Sequence, residues 1–453
     1  MTHSTAHTGK LLFWSFTVAL GGFLFGFDTA VISGAEQAIQ RQWGLSDALL
    51  GAMVSSALVG TVIGAIFGGI PCDRYGRKTT LFWIGVLYLV SALGSALAPD
   101  IYTLMLFRFI GGLGVGASSV AAPVYISEIA PTSLRGRLTA MFQFNLVFGI
   151  LCAYLSNYWV AGAGGDWRMM LGVEVLPALL FVILILFVPR SPRWLIARRG
   201  DREGARKVLA QIDPARADLA LEEIERSHTE TATTQASPQT AEWRDFLSGR
   251  YRWPIILAFL FAFFNQVSGI NAVIYYAPRI FSMAGMEDSA ALLSSAGVGL
   301  INLVFTLIGL ALIDRLGRRL LMYVGSIGYI VSLVSLALVF QWEAFNGSLV
   351  PLLIFVFIAS HAIGQGACIW VFIAEIFPNR VRGFGMSLGS GTHWVFAALV
   401  AFSFPAIAGS LGGAPIFGFF ALMMVLQLLF VRYWMPETKG VSLEALEQQL
   451  SKR

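Results

Sequence analysis

The chain has 453 residues, of which 57% are hydrophobic and 13% are charged, and its formal net charge is +5 at pH 7. Its mean hydropathy of +0.72 excludes a soluble globular domain, because so apolar a chain could not keep a polar surface. The composition indicates an integral membrane protein, and the small positive charge does not indicate a nucleic-acid partner.

Apolar runs long enough to cross a hydrocarbon core of about 30 Å as helices recur along the whole chain. We predict membrane spans 1 to 12 over 11–33, 49–70, 79–98, 101–124, 138–159, 169–188, 252–277, 291–313, 320–341, 349–376, 384–409 and 411–434. Most cations of the short loops lie on one side, with only Arg41, Arg168 and Arg279 in outer loops. The positive-inside rule therefore predicts a multi-pass protein of the plasma or inner membrane with both termini in the cytoplasm.

The predicted spans form two sets of six. We predict an N-terminal half over 1–189, a cytoplasmic helical and linker segment over 190–250, a C-terminal half over 251–434 and a short cytoplasmic tail over 435–453. The middle segment contains TATTQASPQT at 231–240, a low-complexity stretch that we expect to be a mobile linker. The three cysteines have no paired spacing, so the sequence predicts no disulfide framework, no metal site and no cofactor.

Two loop motifs recur at equivalent places in the two halves. DRYGRK at 73–78 returns as DRLGRR at 314–319, and SEIAPTSLRG at 127–136 returns as AEIFPNRVRG at 374–383. Halves with an even number of spans share one topology, and an axis along the membrane normal can relate them. In transporters this symmetry places the substrate site near the bilayer midplane, between the halves.

Further motifs extend this pattern over nearly the whole chain. They are RFIGGLGVG in span 4, SPRWL after span 6, NQVSGINAVIYYAP in span 7 and PETKG after span 12. Together with the repeated loops they resemble the sugar porter family of the major facilitator superfamily, in particular the bacterial sugar–proton symporters and the mammalian facilitative glucose transporters. The resemblance implies an all-α polytopic membrane protein of the major facilitator fold, with twelve transmembrane helices in two six-helix halves.

The glycines of span 4 resemble a phosphate-binding loop, but their context excludes that interpretation. GGLGVG lies inside an apolar span with no strand before it, whereas a dinucleotide motif follows a strand. Small residues in a membrane helix instead predict close packing against a neighbouring helix.

Span 1 contains a carboxylate in an apolar run, GFLFGFDTAVISG at 22–34. A lone charge in the membrane costs about 2.5–3.5 kcal/mol on the insertion scale, so Asp28 indicates function. Counted from the predicted span ends, Asp28, Arg108 and Glu174 share one depth, roughly 8–11 Å below the outer boundary. We predict that Asp28 carries a proton, Arg108 modulates it and Glu174 supports it; the alternative is a static pair joining spans 1 and 4. By resemblance, an Asp at this position is typical of proton symporters and an Asn of facilitators.

A sugar presents many hydroxyl groups and one faintly apolar ring face, so its site needs neutral amides and an aromatic platform. Span 7 supplies five candidate ligands, Asn265, Gln266, Asn271, Tyr275 and Tyr276. We predict that Gly269 breaks the helix so that Gln266 and Asn271 both point inward. The resemblance implies further sugar ligands in other spans: Gln143, Asn302, Trp370, His393 and Trp394. For any single residue, a hydrogen bond between helices remains an alternative role.

The sequence departs from the family pattern at four positions. Asn265 stands where Gln is usual, Ile150 where bacterial xylose symporters have Gln, and His393 where Asn or Gln is common. Arg190 stands where the family has Glu before SPRWL. The first three departures leave the identity of the sugar open, and Arg190 predicts different wiring of the cytoplasmic loops.

The inner ends of the spans carry acids as well as cations. In the family such groups form an ion-pair lattice that latches the outward-facing state. The corresponding residues here are Asp73, Arg77, Glu128, Arg135, Asp314, Arg318, Glu375 and Arg382. The alternative is that they are loop charges that only set topology, although that role needs the cations and not the acids.

These features predict a proton-coupled monosaccharide symporter that works by alternating access as a monomer in the lipid bilayer. One alternative is a facilitative uniporter for a sugar or polyol, in which Asp28 is structural. A more remote alternative is a nutrient receptor on a transporter fold, which would have a long signalling tail. An enzyme is not predicted, because His361 and His393 lie in different spans without metal-ligand or nucleophile–base spacing.

Overall fold

The computed structural model of the chain describes residues 3–131, 134–234, 246, 249–378, 381–441 and 443–451. Within these ranges the chain is helical apart from short connections, as an all-α fold requires. Part of the predicted linker TATTQASPQT, from 235 onward, lies outside the described residues.

Twelve helical segments of the described chain are long and apolar enough to cross a membrane, which confirms the predicted number of spans. Spans 1 to 6 are His3–Trp43, Asp47–Phe67, Arg77–Ala96, Ile101–Ile129, Arg135–Gly162 and the broken pair Trp167–Gly172 and Val175–Ile185. Spans 7 to 9 are the broken pair Arg252–Val267 and Ile270–Met283, then Asp288–Leu316 and Arg318–Gln341. Spans 10 to 12 are Leu349–His361 continued by the π-helical turn Ala362–Gly366 and by Ala367–Ile376, then Arg382–Leu411 and Gly413–Tyr433.

Shorter helices lie outside the spans. They are Gly69–Tyr75, Pro192–Trp194, the π-helical turn Leu195–Arg199, Arg202–Ile212, Ala217–Thr234 and Leu443–Ser451. Trp194, Leu195, Ala205, Val208 and Leu221 form a small separate apolar core that holds the helices after span 6 together. The boundaries of this segment at 189 and 250 stay a prediction.

The outer ends of spans 1 and 7 differ most from the prediction. Span 1 continues to Trp43 and span 7 to Met283, so Arg279 lies inside a helix and not in an outer loop. The hydropathy pattern ended span 1 too early because charged Glu36 follows Gly34, yet Glu36 is wholly buried. At 1.5 Å per residue, Asp28 lies roughly 22 Å before the outer end of its helix, compared with roughly 8 Å before the predicted end of span 1.

Glycines allow spans 2 and 4 to touch backbone to backbone. Gly112 faces the carbonyl oxygen of Ala57, and Gly116 faces that of Thr61, so closely that a Cβ at either glycine would overlap the oxygen. From the other side, Gly60 faces the carbonyl oxygen of Phe109. The interpretation of GGLGVG as a packing motif is confirmed.

In the described residues, the most extensive contacts between the two halves join three pairs of spans. Span 2 packs on span 11, span 5 on span 8, and span 1 on the second helix of span 7. Gly51 of span 2 faces the carbonyl oxygen of Phe402 in span 11, and Gly299 of span 8 packs on Leu151 and Tyr154 of span 5. Span 1, which carries Asp28, and span 7, which carries five candidate sugar ligands, therefore face each other across the boundary between the halves.

The substitution Gly112→Ala tests the contact between spans 2 and 4. We expect a loss of about 1–3 kcal/mol of stability, seen as a lower thermal unfolding temperature in detergent, because a backbone oxygen cannot move aside as a side chain can. Gly114→Ala in the same motif is the matched control, since its nearest contact would be an ordinary 3.5 Å to Cβ of Leu87. Equal behaviour of the two variants would contradict the packing role.

Candidate functional site

Span 7 is interrupted in its middle. The first helix ends at Val267, and the second begins at Ile270 after Gly269, whose φ of +89° is readily adopted only by glycine. Across the break, Nδ2 of Asn271 donates a hydrogen bond of 2.7 Å to Oε1 of Gln266. The predicted break is confirmed, and it turns two side chains of one helix toward each other.

Amide and aromatic side chains gather beside this break. Nε2 of Gln266 donates to Oδ1 of Asn265 at 2.9 Å and lies 3.1 Å and 3.2 Å from the two ring nitrogens of His393. The His393 ring lies 5.2 Å from that of Trp370 and 4.7 Å from that of Trp394. We call this set the central cluster; its members are Asn265, Gln266, Asn271, Trp370, His393 and Trp394.

The central cluster joins hydrogen-bonding groups to aromatic faces and contains no carboxylate or guanidinium. Its amides can both donate to and accept from hydroxyl groups. All its members belong to the C-terminal half, but the ring of Phe25 in span 1 packs 5.6 Å from that of Trp394. A ligand bound at the cluster would therefore lie against both halves.

The other predicted sugar ligands lie outside the central cluster. Asn302 is buried in span 8, where its Oδ1 accepts a hydrogen bond of 3.4 Å from Thr306. Gln143 is half-buried in the inner part of span 5, which begins three residues earlier than predicted. Tyr276 is engaged elsewhere, because its hydroxyl donates to the Ala401 carbonyl at 2.7 Å. In this conformation that hydroxyl is not available to a sugar.

Asp28 and Arg108 form an ion pair inside the N-terminal half. Nη1 of Arg108 lies 2.7 Å from Oδ1 of Asp28, and both side chains are 2% exposed. The same guanidinium also donates to the Asp28 backbone carbonyl at 3.2 and 3.3 Å, while its Nε has no hydrogen-bond partner in the described structure. The ion pair is thus excluded from water, and the Nε–H group of Arg108 makes no hydrogen bond in the described structure.

Glu174 and Tyr275 lie next to this pair. Glu174 is buried at the break of span 6, close enough to Asp28 and Arg108 to interact electrostatically with both. Its Oε1 has no hydrogen-bond partner among the described residues. Tyr275, predicted as a sugar ligand, is buried in span 7 within electrostatic range of the same two groups. The helix of the amides thus brings one polar group within electrostatic range of the ion pair.

In the N-terminal half the cytoplasmic motifs dock on one another. Arg77 bridges two acids, with 3.2 Å to Asp73 and 2.9 Å to Glu128. Ser191 of SPRWL donates to the other oxygen of Glu128. The indole of Trp194 donates to the Asp73 carbonyl at 3.0 Å, so the segment after span 6 is fixed on the first repeated loop.

The C-terminal half repeats this arrangement with PETKG in place of SPRWL. Arg318 lies 3.1 Å from Asp314 and 2.8 Å from Glu375. Thr438 donates to Glu375 at 2.6 Å, as Ser191 does to Glu128. The two oxygens of Glu437 accept from the backbone N–H groups of Arg318 and Arg319 at 3.1 and 3.0 Å, which caps the start of span 9.

The repeat is broken at Arg190, which stands directly before SPRWL at the position that corresponds to Glu437 of PETKG. In the described residues no carboxylate caps the start of span 3 as Glu437 caps span 9. The ring of Trp194 covers Gly76 there, and the Arg190 guanidinium lies 5.7 Å from that ring. The predicted difference in cytoplasmic wiring is therefore present.

Among the described side chains, Arg382 does not join the predicted cytoplasmic network. Glu375 pairs with Arg318 and not with Arg382, whose Nε is buried with no hydrogen-bond partner in the described structure. Arg135 begins span 5, but its side chain lies outside the described residues.

The ion pairs show which side of the protein is closed. At the inner ends, every ion pair between spans in the described residues stays within one half. At the outer ends, two pairs cross between the halves: Glu36 with Arg279 at 2.6 Å and Arg41 with Asp288 at 3.9 Å. Ion pairs therefore tie the halves together at the predicted outer end, and among the described residues none does so at the predicted inner end.

Several of these residues were missed by the sequence analysis. Glu36 and Arg279 were placed outside the spans, and the only signal available was the polar spacing Glu36, Gln40, which is one helical turn. The contacts of Ser191, Glu437 and Thr438 had no local signal, since each partner is more than 60 residues away in the chain.

Comparison with known proteins places this geometry in a family. Residues 14–450 match the family model described as Sugar (and other) transporter. The chain is 35% identical to the arabinose-proton symporter of Bacillus subtilis (strain 168), covering 97% of this chain and 95% of that one. It is 34% identical to the D-xylose-proton symporter of Escherichia coli (strain K12), covering 98% and 96%.

A solved structure of the xylose transporter XylE from E. coli, in a partially occluded inward open conformation, superposes with a TM-score of 0.83. It is 33% identical and covers 96% of this chain and 100% of that one. The chain is a multi-pass membrane transporter, not an enzyme, and it belongs to the sugar porter family of the major facilitator superfamily.

Proposed function

We propose that the protein is a proton-coupled monosaccharide symporter that works by alternating access. It would act as a monomer in the plasma or inner membrane, with both termini in the cytoplasm and with residues 1–189 and 251–434 as the two moving halves. The names of the relatives, which include arabinose-proton and D-xylose-proton symporters, support this proposal.

The observation that carries the proposal is the buried ion pair of Asp28 and Arg108. Both side chains are 2% exposed, so the carboxylate has lost its hydration and the Arg108 guanidinium compensates its charge. Its proton affinity therefore depends on that guanidinium, and a conformational change that moves Arg108 away would favour protonation. Asp28 would carry the proton, Arg108 would control its binding, and Glu174 would support the exchange.

Coupling to the sugar would pass through span 7. Tyr275 lies within electrostatic range of Asp28 and Arg108, and Asn271, one helical turn before it, belongs to the central cluster. A sugar that orders the broken helix would therefore act on the surroundings of the proton site. In this proposal the central cluster binds the sugar, with Gln143 and Asn302 completing the site from spans 5 and 8.

The available energy is sufficient for accumulation. One proton crossing a membrane potential of about 150 mV supplies roughly 3.5 kcal/mol. This corresponds to a sugar gradient of a few hundred-fold, whereas a uniporter can only equilibrate its substrate. The second candidate is that uniporter, in which the same ion pair would serve only to hold spans 1 and 4 together.

Asp28→Asn separates the two candidates. For a symporter we expect the variant to lose accumulation driven by a proton gradient, so that the ratio of internal to external sugar falls to about one, while counterflow exchange of labelled sugar continues. Uptake of a panel of labelled sugars and polyols into proteoliposomes, with and without an inward proton gradient, measures this.

Asp288→Asn is the control for that experiment, because Asp288 is an exposed carboxylate at the outer end of span 8. It should accumulate sugar like the native protein. Native protein that equilibrates every substrate regardless of the gradient would refute symport and leave Asp28 a structural residue.

Substitution of His393 tests whether the central cluster binds the sugar. We expect His393→Ala to raise KM for the transported sugar about 10- to 100-fold, because it removes the partner of the Gln266 amide and a ring between two tryptophans. His393→Gln keeps a hydrogen-bonding group and should lose less. Concentration-dependent counterflow gives both values, and an unchanged KM in His393→Ala would argue against sugar binding at the cluster.

A further inference from the structure

The outer ends of spans 1 and 7 are joined by a bidentate ion pair. Nε and Nη2 of Arg279 donate to the two carboxylate oxygens of Glu36 at 2.9 and 2.6 Å. The same Nη2 donates to Oε1 of Gln40 at 2.6 Å, and Nε2 of Gln40 donates to Asp47 at 2.7 Å. One guanidinium of the C-terminal half is thereby bound to span 1 of the N-terminal half and is linked through Gln40 to span 2.

This ion pair is buried, although it lies at the outer end of the protein. The side chain of Glu36 is 0% exposed and that of Arg279 is 17% exposed. The carboxylate has therefore given up its hydration entirely, and Arg279 supplies its charge compensation. A charge in that position is strongly destabilising when its partner is removed, because it remains desolvated and unpaired.

The second ion pair between the halves, Arg41 with Asp288, is exposed to solvent. Arg41 and Asp288 are 3.9 Å apart, and their side chains are 68% and 73% exposed. Exposed pairs of this kind contribute little, because both ions stay hydrated whether or not they are paired. One end of the protein thus has two ion pairs between the halves, one buried and one exposed. We expect only the buried pair to change the free energy of closing this end.

We propose that Glu36 and Arg279 form the outer gate of the transport cycle, an ion pair that must break whenever the central cluster opens to the outside. The inference rests on the proposed alternating access and names positioning residues for it. In the closed state the pair satisfies two desolvated charges. In the outward-facing state the ends of spans 1 and 7 separate, and water hydrates each charge without the partner.

The gate makes a specific prediction about conformational equilibrium. Glu36→Gln leaves the guanidinium of Arg279, which cannot lose its proton, buried and unpaired in the inward-facing state only. The ratio of outward-facing to inward-facing molecules should rise about tenfold or more. Glu36→Gln combined with Arg279→Gln removes both charges and should shift the ratio less than Glu36→Gln alone.

Distance measurements between spin labels test this without any sugar. Ala48 and Ser289 are exposed residues near the outer starts of spans 2 and 8, one in each half, and take the labels after replacement of Cys72, Cys152 and Cys368. Double electron–electron resonance in proteoliposomes should show a short distance in the native protein and a larger population at long distance in Glu36→Gln. Arg41→Gln is the matched control and should resemble the native protein.

Each outcome decides the proposal. A distance distribution in Glu36→Gln that matches Arg41→Gln would overturn it, as would a double variant that shifts as far as Glu36→Gln. Should Glu36→Gln fail to fold, Arg279→Gln provides the same test from the other partner. Because no sugar or proton gradient is used, failure of the gate is distinguishable from failure of symport, which the Asp28→Asn uptake experiment reports.

Discussion

The hydrocarbon core of a membrane offers no hydrogen bonds, so every buried polar group must find its partner inside the protein. This constraint explains where the polar residues of the chain lie. The Asp28–Arg108 pair, the amides of the central cluster and the Glu36–Arg279 pair all face the interior, and each is contacted by side chains from more than one span or by a broken segment of its own. Regular helix is interrupted in spans 6, 7 and 10, at or near these polar groups.

Three sites follow one another along the boundary between the halves. The amides of the central cluster belong to the C-terminal half, whereas the proton pair belongs to the N-terminal half. Span 7 connects them, with Asn271 in the cluster, Tyr275 beside the proton pair and Arg279 at the outer end. A movement of this one helix after Gly269 would therefore change all three environments, which is the physical basis that we propose for coupling sugar, proton and closure.

The internal repeat places equivalent contacts at the predicted cytoplasmic ends of the two halves. Ser191 and Thr438 perform the same task in the two halves, each binding the glutamate that pairs with the arginine of the repeated loop. The departure at Arg190 leaves the N-terminal half with a tryptophan packed on Gly76 where the C-terminal half has a carboxylate cap. In each half these contacts join the repeated loop to the segment that follows the last span of that half.

The sequence alone determined the class of protein, the number of spans, the repeat and the family, because hydropathy and loop motifs are local properties of the chain. It also predicted the break at Gly269 and the inward direction of Gln266 and Asn271, since a glycine between two amides is a local signal; the hydrogen bond between the two amides came from the structure. Only the tertiary structure decided which charges pair. Glu36 and Arg279 are 243 positions apart in the chain, and hydropathy assigns both to the solvent. Their burial depends on two helices from different halves extending beyond the predicted span ends and covering each other, which no local pattern encodes.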